Sequence, residues 1–162
     1  GIGIDKSKID VSVYDVILGG VDAKEAIKDT CIKNLYIIPS TVQLAGAEIE
    51  LIGINEREIM LKQALKSVND EYDFIFIDCP PSLGLLTINA LSAVSSVIIP
   101  IQCEFYALEG VGQLIKTIQL VRRNLNPHLE IEGVVLCMFD GRTNLSTAVV
   151  DEVKRFFKGK VY

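Results

Sequence analysis

The 162 residues carry 49% hydrophobic and 23% charged side chains, a balance that suits one ordinary globular core and excludes an intrinsically disordered chain. A formal charge of −5 excludes a uniformly basic nucleic-acid binder and leaves room only for a local basic patch. No run reaches the roughly 18 apolar residues of a membrane span, and the N-terminus lacks a charged region leading into an apolar core, so a soluble protein is expected.

The chain starts at Gly1 rather than Met and ends at Lys160-Val161-Tyr162, where a new strand begins, so both ends are expected to be cut. Between them helix and strand signals alternate, which predicts an α/β domain with a mostly parallel sheet flanked by helices. Leu35-Tyr36-Ile37-Ile38 reads as a strand entering Pro39-Ser40-Thr41. Residues 56–68 follow as a charged amphipathic helix with Ile59, Leu61, Ala64, Leu65 and Val68 inward.

Next comes the run Tyr72-Asp73-Phe74-Ile75-Phe76-Ile77-Asp78-Cys79-Pro80-Pro81-Ser82-Leu83-Gly84. Its apolar part delivers one carboxylate to a strand's C-terminal end, and it looks like a Walker B strand running into a switch loop. An Asp at such a place helps to hold the Mg2+ that bridges nucleotide phosphates. The competing reading is an acid that caps the next helix or starts a turn. Pro80 and Pro81 favour the first reading, because paired prolines stop a ladder and stiffen the loop. A carboxylate on a stiff loop at the sheet's C-terminal edge is where open α/β folds place ligands. The complementary G-x-x-x-x-G-K-[ST] phosphate loop occurs nowhere in the sequence. The chain therefore carries half of a nucleotide site.

Residues 85–94 read as a helix, Val97-Ile98-Ile99-Pro100-Ile101 as a β-branched strand, and 107–124 as the strongest helix. In that helix Leu108, Val111, Leu114, Ile115, Ile118 and Val121 recur at helical spacing, and Arg122 and Arg123 suit its negative C-terminal end. Residues 131–139 form a further strand and 145–158 a further amphipathic helix. The runs 74–78, 97–101 and 134–138 are continuously apolar, as strands covered on both faces should be. Cys31, Cys79, Cys103 and Cys137 have no metal-ligand spacing, and buried free thiols in a reducing cytosol are expected ahead of ligands or disulfides. His128 follows Asn126-Pro127 in a turn and reads as a solvated surface residue rather than a catalyst. No linker, repeat or low-complexity segment interrupts residues 1–162, so one domain is expected.

Four collinear segments carry a family resemblance: Pro39-Ser40-Thr41-Val42-Gln43-Leu44-Ala45-Gly46-Ala47-Glu48, residues 78–91 beginning Asp78-Cys79-Pro80-Pro81, residues 100–110 beginning Pro100-Ile101-Gln102-Cys103-Glu104, and Met138-Phe139-Asp140-Gly141-Arg142-Thr143-Asn144-Leu145-Ser146. Together they closely resemble the ParA/Soj chromosome- and plasmid-partitioning ATPases over essentially the whole chain. The resemblance implies a P-loop NTPase (Rossmann-like) fold, incomplete at both termini, of which this chain is the middle. Family members begin with a strand, the loop K-G-G-V-G-K-T-T and a second strand ending in an aspartate switch, and none of these is present here. It also implies ATP and Mg2+ as cofactors, an ATP-bound homodimer, nonspecific double-stranded DNA and a centromere-binding ParB-like protein as partners, and a cytoplasmic, nucleoid-associated location with no membrane attachment.

Residue by residue, the resemblance makes Asp78 the metal-holding carboxylate, with Pro80 and Pro81 shaping the switch loop near the terminal phosphate. Glu104 contacts nucleotide across a dimer or charges the N-terminus of the next helix, and Met138, Phe139 and Asp140 border the adenine or only pack the strand end. Arg142 is the candidate DNA contact. Lys154, Arg155, Lys158 and Lys160 either neutralise phosphates or complement a helix dipole. No catalytic residue is expected within these 162 residues, and the chain by itself is expected to be inactive. The alternatives are a nucleotide-independent regulatory module on the same scaffold and a membrane-associated division-site ATPase of the MinD kind.

Overall fold

The computed structural model describes residues 2–104 and 107–162, without the side chains of Lys6, Ala107 and Leu108. Phe105, Tyr106 and the inward placement of Leu108 thus lie outside the described residues. The chain divides into two compact units, Gly1–Ala93 and Val94–Tyr162.

In the first unit, Ser12 starts helix α1 (Val13–Leu18), its N–H and hydroxyl donating to Asp15 Oδ2 at 2.8 and 2.9 Å. Asp22 caps α2 (Ala23–Ala26) by accepting from the Lys24 N–H at 2.9 Å. Two-residue strands β1 (Lys28–Asp29) and β2 (Tyr36–Ile37) pair antiparallel, so the expected strand at 35–38 exists in shortened form. Helices α3 (Leu44–Leu51), α4 (Met60–Ala64) and α5 (Leu85–Ala93) complete the unit. The helix expected at 56–68 is reduced to α4 and a 3-10 turn at Leu65–Ser67, because Glu56 adopts φ +57°, outside the helical region. Two apolar clusters hold these helices: Val16, Ala23, Ala26 and Val68 in one, and Ile17, Leu51, Leu61 and Ala90 in the other.

Asn89, fully buried, joins α4 to α5. Its Oδ1 accepts from the Leu61 N–H at 3.1 Å, and its Nδ2 donates to the Arg57 carbonyl at 2.7 Å and the Leu85 carbonyl at 3.0 Å. The amide thereby satisfies an N–H in the first turn of α4 that the helix itself cannot pair.

Residues 74–78 depart from the expectation of a buried strand. They belong to neither sheet, and no backbone–backbone hydrogen bond involves them among the described residues. Burial still alternates with the period of an extended chain: Ile75 and Ile77 are partly buried, and Phe74, Phe76 and Asp78 point outward. Ile77 packs against the cluster of Ile17, Leu51, Leu61 and Ala90. Phe74 and Phe76 are 80% and 82% exposed and lie face to face with ring centroids 6.3 Å apart. The sequence has the strand's side-chain pattern, and no described strand offers it a ladder.

The second unit is a βαβ arrangement: β3 (Ser96–Gln102), α6 (Ala107–Asn124) and β4 (Glu130–Cys137), followed by α7 (Asn144–Phe156). The strands run parallel from Ser96 opposite Glu130 to Gln102 opposite Cys137, with a register shift between Val97 and Ile98. Val161 bridges Val134 in parallel, through N–H···O bonds of 2.7 Å (Val134 to Lys160), 2.8 Å (Tyr162 to Val134) and 3.0 Å (Leu136 to Tyr162). The Tyr162 ring lies so close to Gly133 that a Cβ there would sit 2.3 Å from Cε2. A larger residue there would have to displace the Tyr162 ring. The parallel α/β architecture is as expected, but double-sided burial is not: Ile99, Ile101 and Val134 are buried while Ile98 and Val135 are exposed, so one face is open. No described helix is long and apolar enough to cross a membrane.

Replacing Asn89 with Ala leaves the Leu61 N–H and the Arg57 carbonyl without their buried partner. The expected loss is about 2–3 kcal/mol of unfolding free energy, measured by urea titration with far-UV circular dichroism. An unchanged midpoint and slope would remove Asn89 as the link between α4 and α5.

Candidate functional site

Asp78 ends the unpaired segment with its side chain exposed, and Pro80 and Pro81 follow it on an exposed loop. One side-chain bond fastens the far end of that loop to α5, and a second joins α5 to α3. Thr87 Oγ1 donates to the Ser82 carbonyl at 2.6 Å, and the Leu86 N–H donates to Glu48 Oε1 at 3.3 Å. Cys79 sits beside Asp78, and desolvation followed by the Asp78 charge pushes its thiol above the ordinary range. Among the described residues no cluster of three or more His, Cys, Asp or Glu side chains could hold a metal ion alone. A single exposed carboxylate nevertheless fits Mg2+, which keeps several waters and binds through one or two carboxylates together with phosphate oxygens.

The other sequence-predicted residues gather at the C-terminal edge of the β3–β4 pair. Beyond the last register pair, the Cys103 N–H donates to the Cys137 carbonyl at 3.2 Å and the Glu104 N–H to the Gln102 carbonyl at 2.9 Å. Met138 leaves β4 with φ +54°, a left-handed conformation uncommon for a residue with a side chain and typical of strand ends that aim a loop. Glu104 is exposed, as are Met138 at 75% and Phe139 at 54%. The buried Ser146 hydroxyl donates to the Cys103 carbonyl at 3.2 Å, tying the first turn of α7 to the end of β3.

Asp140 and Arg142 form a fork. Arg142 Nε lies 2.9 Å from Oδ1 and Nη2 lies 2.7 Å from Oδ2, and the Arg142 N–H also donates to Oδ1 at 3.0 Å. The guanidinium and then that N–H hold the Asp140 carboxyl below its ordinary value. Arg142 remains 90% exposed at its side chain. Of the basic cluster on α7 and beyond, Arg155 pairs with Glu152 at 2.6 Å and Lys160 Nζ donates to the Ile131 carbonyl at 2.6 Å.

All four thiols are free, as expected, but only Cys103 is buried. Cys79 follows the segment that has no ladder, and Cys31 lies in the connection between β1 and β2, so neither has a covering layer. His128 is exposed, in line with its surface reading. Glu48, Thr87 and Ser146 were not singled out by the sequence. Each is a single polar residue whose partner is another element or a loop carbonyl, and no local sequence signal announces such a partner.

A family model described as an AAA domain matches residues 1–131. The chain is 56% identical over its entire length to the sporulation initiation inhibitor protein Soj of Bacillus subtilis, of which it covers 64%. It is 48% identical, again over its entire length, to the chromosome partitioning protein ParA of Myxococcus xanthus, covering 57% of that protein. Among solved structures, cobyrinic acid a,c-diamide synthase from Mycobacterium smegmatis with bound ATP analogue and magnesium superimposes with a TM-score of 0.87 at 40% identity, over 97% of this chain and 64% of that one. A plasmid partition protein from Borrelia burgdorferi superimposes with a TM-score of 0.81 at 26% identity, over 98% and 64%. The chain spans less than two thirds of the length of each of these proteins.

The Asp140 carboxyl is expected to titrate below an ordinary aspartate and to rise toward the ordinary range in Arg142→Ala, which removes the guanidinium but keeps the backbone N–H. Because its folded value is the lower one, what the fork contributes to stability is present above the unfolded-state value and lost as pH falls through the folded one. Carboxyl-carbon NMR titration of both proteins measures this directly, and equal midpoints would show that the fork does not form in solution.

Proposed function

Because the chain belongs to the ParA/Soj family of AAA-domain partitioning ATPases, we propose that it is the central part of a DNA-segregation ATPase, its residues 1–162 forming one incomplete P-loop NTPase domain. The complete protein dimerises around ATP, binds duplex DNA without sequence preference and is stimulated by a centromere-binding protein of the ParB kind. It works in the cytoplasm on the nucleoid. The single observation that best supports this reading is the placement of Asp78, an exposed carboxylate at the end of an extended apolar segment that leads into a proline loop fastened to α5.

In this reading Asp78 holds Mg2+ through a coordinated water, Pro80 and Pro81 set the loop beside the terminal phosphate, and Glu104, Met138, Phe139 and Asp140 border the nucleotide. The ion, when bound, offsets the charge that develops on the transferred phosphoryl group. The M. smegmatis relative was crystallised with an ATP analogue and magnesium, which supports the same cofactors here. A triphosphate is held chiefly by the backbone N–H groups and lysine of a phosphate loop, and the sequence contains no such loop. The 162 residues alone are therefore inactive in this reading, and the open ladder of 74–78 takes its neighbouring strand from the rest of the protein.

Arg142 contributes to DNA binding by exchanging its Asp140 partner for a phosphate, the kind of contact that makes affinity salt-dependent. Arg142→Glu, in the chain completed to the length of its Soj relatives, is expected to weaken nonspecific DNA binding and flatten its salt dependence while sparing nucleotide binding. Paired DNA and nucleotide titrations at several salt concentrations measure both effects. An unchanged DNA affinity and slope would place Arg142 off the DNA surface.

In the same completed chain, Asp78→Ala is expected to lower Mg2+-dependent ATP turnover at least about tenfold with the fold intact. Turnover across a Mg2+ series, with circular dichroism as the folding control, provides the test. Wild-type rates from the variant would remove Asp78 from the metal site and with it the basis of this reading.

A further inference from the structure

We propose that Glu48 is a positioning residue for Asp78: its carboxylate, seated on Gly84, pins the loop that carries Asp78 into α5. The inference rests on the metal-holding reading of Asp78 and adds a residue to that site.

Two independent observations locate the pin. The first is the hydrogen bond from the Leu86 N–H to Glu48 Oε1 at 3.3 Å. Leu86 is the second residue of α5, and the first N–H groups of a helix have no partner within it. A cap normally comes from the residue just before the helix, but here an acceptor reaches over from α3, 38 positions earlier. Its negative charge also suits the positive end of the helix dipole.

The second observation is steric. A Cβ on Gly84 would lie 2.2 Å from Glu48 Oε1, 2.9 Å from Cδ and 3.0 Å from Oε2, so the entire carboxylate rests against the glycine. Gly84 does not have a positive φ, so space rather than backbone conformation is what requires glycine there. Any side chain at position 84 must displace Glu48 or the loop.

The loop can transmit this restraint because it is short and stiff. Five residues separate Asp78 from Gly84, and Pro80 and Pro81 are among them, each with φ locked by its ring. Thr87 adds a second tie through the Ser82 carbonyl. On the other side of Asp78, residues 74–78 make no ladder bonds among the described residues, so the ties at Ser82 and Gly84 restrain a carboxylate that no ladder holds.

The test uses the chain completed to the length of its Soj relatives and compares Glu48→Ala, Gly84→Ala, the double variant and Glu48→Gln, with Asp78→Ala as reference. The readout that a plain helix cap would not move is the Mg2+ concentration giving half-maximal ATP turnover, taken alongside the thermal midpoint. Glu48→Ala and Gly84→Ala are each expected to raise that concentration about tenfold. The double variant should be no worse than either single one, because removing the carboxylate makes room for the added methyl. Glu48→Gln keeps an acceptor for the Leu86 N–H and should recover most of the loss. If Asp78→Ala shifts the Mg2+ dependence and Glu48→Ala lowers only the thermal midpoint, Glu48 is a structural cap and the proposal is overturned while the site reading stands. If Asp78→Ala shifts nothing, the site reading fails and the proposal falls with it. Fully additive effects of Glu48→Ala and Gly84→Ala would deny the contact itself.

Discussion

Among the described residues the backbone N–H and C=O groups of 74–78 have no ladder partner, and the position of Asp78 depends on how that need is met. Exposed to water, such groups cost little. Enclosed without partners, each costs about 1–3 kcal/mol, so the segment stays open to solvent unless another strand joins it. Its outward side chains tell the same story. Phe74 and Phe76 remain more than three-quarters exposed, which leaves unrealised about 1.5–3 kcal/mol of burial for each ring. Ile77 packs the segment onto its unit through the cluster around Leu51 and Leu61.

Against that open backbone, side chains from other elements do the fixing. Glu48 reaches from α3 to the first turn of α5, and Thr87 ties back to the Ser82 carbonyl. In the second unit Ser146 bonds the Cys103 carbonyl and so joins the start of α7 to the end of β3. Both units use one device: a helix's first turn is tied to a loop at the end of an extended segment. Loops held in this way at strand ends are where α/β folds place ligands, and the left-handed Met138 and the Asp140–Arg142 fork lie at such an end.

Much of this was legible in the sequence; the shortened 56–68 helix traces to Glu56 at φ +57°, and the other exceptions to partners that a local pattern does not reveal. The 107–124 helix agrees with its expected bounds because its apolar stripe and terminal arginines are local signals. Strands β3 and β4 follow from β-branched runs, and the strand start at Val161 from the chain's last residues. The 74–78 run reads as a buried strand because its side-chain pattern encodes burial against neighbours, and among the described residues no strand pairs with it. Ile98 and Val135 are likewise apolar strand residues on an open face, whereas Cys31 and Cys79 lie outside the strands. Within the candidate site, Asp78 was legible from its place after an apolar run, whereas Glu48 was not. A glutamate on a short helix signals solvent exposure, and nothing in its neighbourhood announces a partner at Leu86.

Backbone hydrogen exchange in the 162-residue chain tests the central claim most directly, since it reads each N–H in the open segment and in the sheet within one sample. The account predicts near-unprotected exchange at Phe74, Ile75, Phe76, Ile77 and Asp78, and strong protection at Val134 and Leu136, whose N–H groups are bonded at 2.7 and 3.0 Å. Protection of residues 74–78 equal to that of Val134 and Leu136 would contradict it, because those groups would then already have a ladder.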